Sequence, residues 1–317
     1  MPQQAQLTPF PKIIAFTSLQ ENSYIHQTHA SFTGRRFVQI EISARVAYAL
    51  RPFISNSVRG TFFNLMDITR SVVYGIVPWT VISTPPQIRR RSRTYNVEIA
   101  VPHGRMDDWR KFLGIIGYKE HKSISVPGFL GQVIDIQYTF VQETRSEYSI
   151  TVSQSMTSSV LPIILSSHTT CQMNILSSSH LFCFYPNLTM EYKALASFQN
   201  LSRAQIPYIY RRLVSFTSTT EFFGYPCGEV CPAIWRHTRG LQGVGVIRWN
   251  EGKGFTSNNQ HRMLAEFIKN IDRVDYEPYD ALTEYQNSTF KWRTGSHCLN
   301  PKCEYSTSLP TIRPWFI

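Results

Sequence analysis

The 317-residue chain lacks the signatures of several common enzyme classes. It has no nucleophile elbow, no P-loop glycine run and no dinucleotide fingerprint, so hydrolase-elbow, Walker-type and Rossmann chemistry are not indicated. Its nine histidines are scattered, and none stands where a general base is expected. Long apolar runs are absent too: the best, Val72 to Ile82, is too short to span a bilayer and contains Pro78. Met1 to Leu19 is interrupted by Pro2, Pro9 and Pro11 and carries no secretory pattern, which predicts an intracellular chain, cytoplasmic or nuclear. Acidic residues are scarce, 21 against 32 Lys and Arg, and the resulting net charge of +11 favours an anionic partner such as nucleic acid, nucleotide or acidic lipid. The six cysteines, in a chain without a secretory signal, read as reduced thiols or metal ligands rather than disulfides.

What is present is a sizeable apolar content, 42%, enough to build a core. The predicted fold is α/β or α+β: a mixed β-sheet with flanking helices, plus a smaller Cys-containing C-terminal region. Residues 1–34 are polar and aperiodic and predict a loosely attached tail, 35–220 the main domain, and 221–317 the C-terminal α+β region. Val38, Ile40 and Ile42 alternate, then Val46 to Leu50 take helical spacing, which Arg51-Pro52 ends. Phe62, Phe63, Leu65 and Met66 mark a second helix. Ser71–Val77 predicts a buried strand turning at Gly75, and Tyr95–Val101 a second strand. Trp109, Phe112, Leu113 and Ile116 mark a helix stopped at Gly117. Strands follow at Gln132–Val141 and Tyr148–Val152, then at 181–186. Helices are expected at Leu188 to Leu201 and Ala204 to Phe216, a strand at Val244–Trp249, and an amphipathic helix at His261 to Ile271.

The stretch from Ser71 to Tyr118 organises the rest. Gly75 allows close backbone approach to a phosphate. Asn96 and Glu98 alternate with Val97 and Ile99, so both polar side chains leave one face of their strand. Two-metal phosphoryl transfer needs carboxylates that hold two divalent ions roughly 3.5–4 Å apart, and positions i and i+2 of a strand supply such a pair. Between the two strands lies an exposed basic loop with Arg89, Arg90, Arg91 and Arg93. Four arginines in five positions grip phosphates, serve as an import signal, or form a plain solvated insertion.

Gly75-Ile76 followed by Asn96-Val97-Glu98-Ile99 resembles the nucleotidyltransferase fold of the polymerase-beta-like superfamily. More specifically, the chain looks like divergent, uncharacterised proteins of mushroom-type fungi that carry this domain. Val101-Pro102, Trp109 to Leu113, Gly117-Tyr118, Cys183 to Thr189 and Cys231 to Arg236 continue the likeness, over roughly residues 37 to 250. The resemblance implies Gly75 at the phosphate and Glu98, Asn96 and either Asp135 or Glu147 as Mg²⁺ ligands. The departures imply decay. Ile76 replaces the serine hydroxyl, Asn96 is a neutral amide where Mg²⁺ prefers carboxylate, and Ser149 stands where a third carboxylate is expected. A degenerate nucleotidyltransferase-like protein that binds nucleotide or nucleic acid, or acts as an interaction module, is therefore expected. The alternatives are an active metal-dependent nucleotidyltransferase and a zinc-stabilised interaction module. The last rests on Cys227 and Cys231, with three residues between them, and Cys298 and Cys303, with four between them, which resemble a four-thiolate Zn²⁺ site with His237 and His297 as spare ligands. Cys171 and Cys183 are expected in the core.

Overall fold

A computed structural model describes residues 32–83, 96–124, 128–197, 213–217, 219–221, 225–228, 231–250, 262–271, 279–294 and 298–306. The chain opens with two helices, α1 (Phe32–Leu50) and α2 (Arg59–Ile68), followed by β1 (Val72–Tyr74) and α3 (Ile76–Ser83). Then come β2 (Asn96–Val101), α4 (Met106–Ile115), β3 (Tyr118–Ile124), β4 (Ile134–Gln142) and β5 (Arg145–Ser155). A short α5 (Leu161–Leu165), β6 (Asn174–Leu176), β7 (His180–Cys183), α6 (Pro186–Met190), β8 (Lys193–Leu195) and β9 (Ser215–Thr217) follow. The remainder holds β10 (Arg236–His237), β11 (Gly245–Arg248), α7 (Arg262–Ile271), α8 (Ala281–Asn287) and β12 (Lys291–Trp292).

Eight strands form one mixed sheet in the order β11-β7-β6-β1-β2-β5-β4-β3. All neighbours are antiparallel except β2 and β5, which run parallel. Strand β11 comes from the 221–317 stretch and pairs with β7, so the C-terminal region contributes to the main sheet. The α/β architecture is therefore as expected. Among the described residues no helix is long and apolar enough to cross a membrane.

The two sheet faces differ. One carries Val73, Val97, Ile99, Val101, Ile150, Val152 and Phe140, and α2 and α4 cover it with Phe62, Phe63, Trp109 and Phe112. Phe62 meets Trp109 edge-on at 5.5 Å. The Trp109 indole donates to Ser71 Oγ at 3.0 Å and to Thr69 Oγ1 at 3.2 Å, so its one polar atom is satisfied in the core. The opposite face is split. Val72, Tyr74, Ala100, Ile175 and Phe182 pack under the C-terminal region. Further along β2, β5 and β4 the same face turns polar, through Asn96 and Glu98, then Ser149, Thr151 and Ser153, then Gln137 and Thr139. These are register partners or lie two apart along one strand.

Several local expectations change. The strand expected over 71–77 is only three residues long, and Ile76–Ser83 is a helix with seven of its eight residues buried. A short apolar run cannot distinguish buried strand from buried helix. Pro78 sits in the first turn, where backbone N–H groups have no helical partner to lose. The alternating Val38, Ile40 and Ile42 lie within α1, with Ile40 61% exposed and Ile42 buried. Tyr118–Ile124 is a strand that the periodicity missed. The helix expected over Leu188–Leu201 ends at Met190, and β8 follows it. The helix expected to reach Phe216 gives way to β9 at Ser215, and its earlier part lies outside the described residues.

Candidate functional site

Among the described residues, the sequence-predicted site residues fall in two regions: the polar stretch of the sheet beside Gly75, and the four C-terminal cysteines.

Strand β1 ends at Tyr74, Gly75 takes φ +75°, and α3 begins at once, with Trp79 N–H donating to the Gly75 carbonyl at 3.3 Å. Tyr74 is the direct β2 partner of Glu98. The Glu98 carboxylate therefore lies against the Gly75 backbone and accepts a hydrogen bond from the Ile76 N–H, at the start of α3. The left-handed backbone angle favours glycine at 75, and a Cβ there would also displace the end of the Glu98 side chain. Burial raises the Glu98 carboxyl to about 7, and the Ile76 N–H only partly opposes it. Burial also raises the neighbouring Tyr74 phenol, helped by the Glu98 charge and opposed by the Ser153 hydroxyl.

Asn96 pairs in register with Ser149. Its Oδ1 accepts from Ser149 Oγ and from Thr151 Oγ1, each at 3.1 Å, which uses both lone pairs. The remaining hydroxyls continue the ladder, with Gln137 Nε2 donating to Ser153 Oγ at 2.7 Å and Thr139 meeting Thr151 at 3.4 Å. Asp135 belongs to a different network. It accepts from Gln154 Nε2 at 2.8 Å and lies 3.6 Å from His103 Nδ1. The Gln154 carbonyl in turn accepts from the Gly104 and Met106 N–H groups, each at 3.1 Å, and so caps α4. Glu147 is exposed near the start of β5.

The residues expected to hold Mg²⁺ do not fit that ion. Among the described residues, the four cysteines are the only group of three or more His, Cys, Asp or Glu side chains placed to hold a metal. Glu98, Asp135 and Glu147 form no such group, and the Asn96 oxygen is already doubly bonded. Arg89, Arg90 and Arg91 lie outside the described residues.

Cys227, Cys231, Cys298 and Cys303 are all buried, and none is in a disulfide. Their sulfurs lie within 4.8 Å of one another, although more than sixty residues separate the two pairs in sequence. His237, on β10, is not part of the group, and His297 lies outside the described residues. Cys171 and Cys183 are core residues, and burial pushes each thiol up to about 12.

Sequence reasoning missed the partners. Thr151 as a second donor to Asn96 was not foreseen, nor Gln154 as the α4 cap, nor Thr220 and Asn300 as sulfur donors. Asn300 sends its side-chain amide to Cys227 rather than to the adjacent Cys298, so its place two residues after a cysteine did not signal that contact. The others follow from strand register and chain crossings, which periodicity does not encode. No known protein family, curated protein or solved structure matches the chain.

Proposed function

We propose that the chain is a degenerate nucleotidyltransferase-like protein without transferase activity, which acts by binding an anionic macromolecule, nucleic acid. One observation carries the reading: the Glu98 carboxylate rests on the Ile76 N–H beside Gly75. In a working cradle that helix start would face a nucleotide phosphate. Here the chain's own carboxylate takes the phosphate's place. The adjoining strand offers an amide oxygen saturated by two hydroxyls, and that oxygen contributes no charge to balance a divalent ion. The order β1, helix, β2, with β5 parallel to β2 on its far side, is the support for the nucleotidyltransferase-like ancestry. The net charge of +11 supports an anionic partner.

The test has two arms. Purified protein is incubated with each NTP and Mg²⁺ or Mn²⁺, and no turnover is expected; turnover abolished by Glu98→Ala would reject the reading. Binding to single- and double-stranded RNA and DNA is then measured against salt. A negative slope of log K against log salt is expected, made shallower by replacing Arg89, Arg90 and Arg91 with Ala. Absence of salt-dependent binding removes nucleic acid as the partner.

A second reading, an active enzyme, is favoured by one feature alone. A carboxyl raised to about 7 has the proton affinity suited to a general base near neutral pH. The same turnover assay decides between the two.

A further inference from the structure

We propose that Cys227, Cys231, Cys298 and Cys303 bind one zinc ion as four thiolates, in a closed site that clasps the C-terminal region onto the second face of the sheet. Four ligands about 2.3 Å from a tetrahedral centre stand about 3.8 Å apart. Cys227 and Cys298 sulfurs are 3.7 Å apart, as are Cys231 and Cys303, and all four lie within 4.8 Å of each other. A formed disulfide would require about 2.05 Å. The two 3.7 Å distances match those of an ion's coordination shell.

The surroundings suit a buried, negatively charged tetrathiolate. Asn300 Nδ2 donates to Cys227 Sγ at 3.3 Å, and Thr220 Oγ1 to Cys298 Sγ at 3.4 Å. The Ala233 N–H points at the Cys231 sulfur and the Asn300 N–H at the Cys298 sulfur, each two residues past its cysteine. Gly228, directly after Cys227, takes φ +54° and lets the first turn fold back, with the Cys231 N–H donating to the Gly228 carbonyl at 3.1 Å. Cys303 N–H does the same to Asn300 at 3.0 Å. Outer donors of this kind orient the ligands and spread their charge. Four cysteines fill the tetrahedron and leave no open position, which marks a structural rather than a catalytic site.

The location explains the purpose. Cys231 leads within five residues into β10, and β12 leads within six into Cys298. The β10–β12 ladder is only two residues long, Arg236 opposite Trp292 and His237 opposite Lys291. Such a ladder does not hold by itself. It carries Arg236 and Trp292 onto β7 and its continuation. The Arg236 guanidinium lies over the Tyr185 ring at 4.4 Å and donates to the Phe184 and Gly243 carbonyls. Trp292 meets Phe184 at 5.4 Å and donates to the Tyr185 hydroxyl at 3.2 Å. An ion joining the segment that enters β10 to the segment that leaves β12, both at the Arg236–Trp292 end of the ladder, supplies the closure that its two residue pairs lack.

The full-length protein is purified without chelator and its metal measured by elemental analysis, with cobalt(II) exchange read by visible absorption. One zinc per chain is expected, together with the thiolate-to-cobalt charge transfer and strong tetrahedral bands of a four-sulfur site. Cys298→Ser should lose the metal, and His237→Ala, a residue outside the group, should keep it. If Cys298→Ser fails to fold, the metal content and cobalt spectrum of the unaltered protein still decide. Folded, metal-free protein with four reactive thiols would overturn the proposal. So would stoichiometric iron in place of zinc, or mass spectrometry showing Cys227–Cys298 and Cys231–Cys303 disulfides.

Discussion

The polar sheet face and the cysteine cluster each bring several chemically capable side chains into a small space, but they settle their polarity in opposite ways. On the sheet, Asn96, Ser149, Thr151, Ser153, Gln137 and Thr139 satisfy one another, and Glu98 satisfies a helix start. That region is complete as it stands. At the cysteines, four soft sulfurs face one another with donors behind them, and thiol–thiol contacts are too weak to justify the convergence. That region has the donor set to accept the ion proposed above. The contrast teaches that proximity of capable groups is not a site. What matters is whether their lone pairs are already spent.

The largest effect that tests this contrast is metal removal. Chelation, or Cys231→Ser, should lower Tm by well over 10 °C, with hydrogen exchange rising around Trp292 and Arg236 before it rises in β2 and β5. Simultaneous loss of protection throughout the sheet would break the distinction between the two regions. Next comes Gly75→Ala, which forces a side chain into the left-handed region and against Glu98 Oε2. We expect a loss of about 2–4 kcal/mol by denaturant unfolding. Adding Glu98→Ala should recover part of it, with a coupling on the order of 1 kcal/mol; strict additivity would mean the two residues do not touch.

Glu98→Gln should act through pH. The folded carboxyl titrates near 7, well above the ordinary carboxylate value, so the fold prefers it neutral. Its contribution is fully present below the unfolded carboxyl's pKa and is lost as pH rises through about 7. The Gln variant keeps a carbonyl for the Ile76 N–H but cannot ionise. It should therefore be more stable than the parent above pH 7, by up to about 3 kcal/mol, with the advantage vanishing near pH 4. A pH-independent difference would contradict the desolvation of this half-buried carboxyl. Smallest is Thr151→Val, which removes one of two donors to Asn96 and should cost about 1 kcal/mol. A loss of 3 kcal/mol or more would show that the ladder is a tightly coupled network rather than a set of separate bonds.

Much of the frame was legible in the residues. The second strand, α4, the strands β4 and β5 and α7 all follow from periodicity and turn residues, because each has a clear inside and outside. Elements apolar on every side were misread. Ile76–Ser83 is buried almost all round, so neither a 2.0 nor a 3.6 period shows. The cysteine spacing singled out the four residues whose sulfurs the structure brings within 4.8 Å of one another, since cysteines close in sequence share a local turn.

The sequence by itself determined which side chains were available: a glycine at position 75, an asparagine and a glutamate two apart on one strand, two pairs of thiols. Only the tertiary structure decided how they were used. Strand register set Glu98 beside Gly75 and Asn96 beside Ser149, and the packing of distant segments brought Cys227 to Cys298. Hydrogen-bond saturation and metal geometry depend on distances between residues remote in the chain, and no local pattern carries those distances.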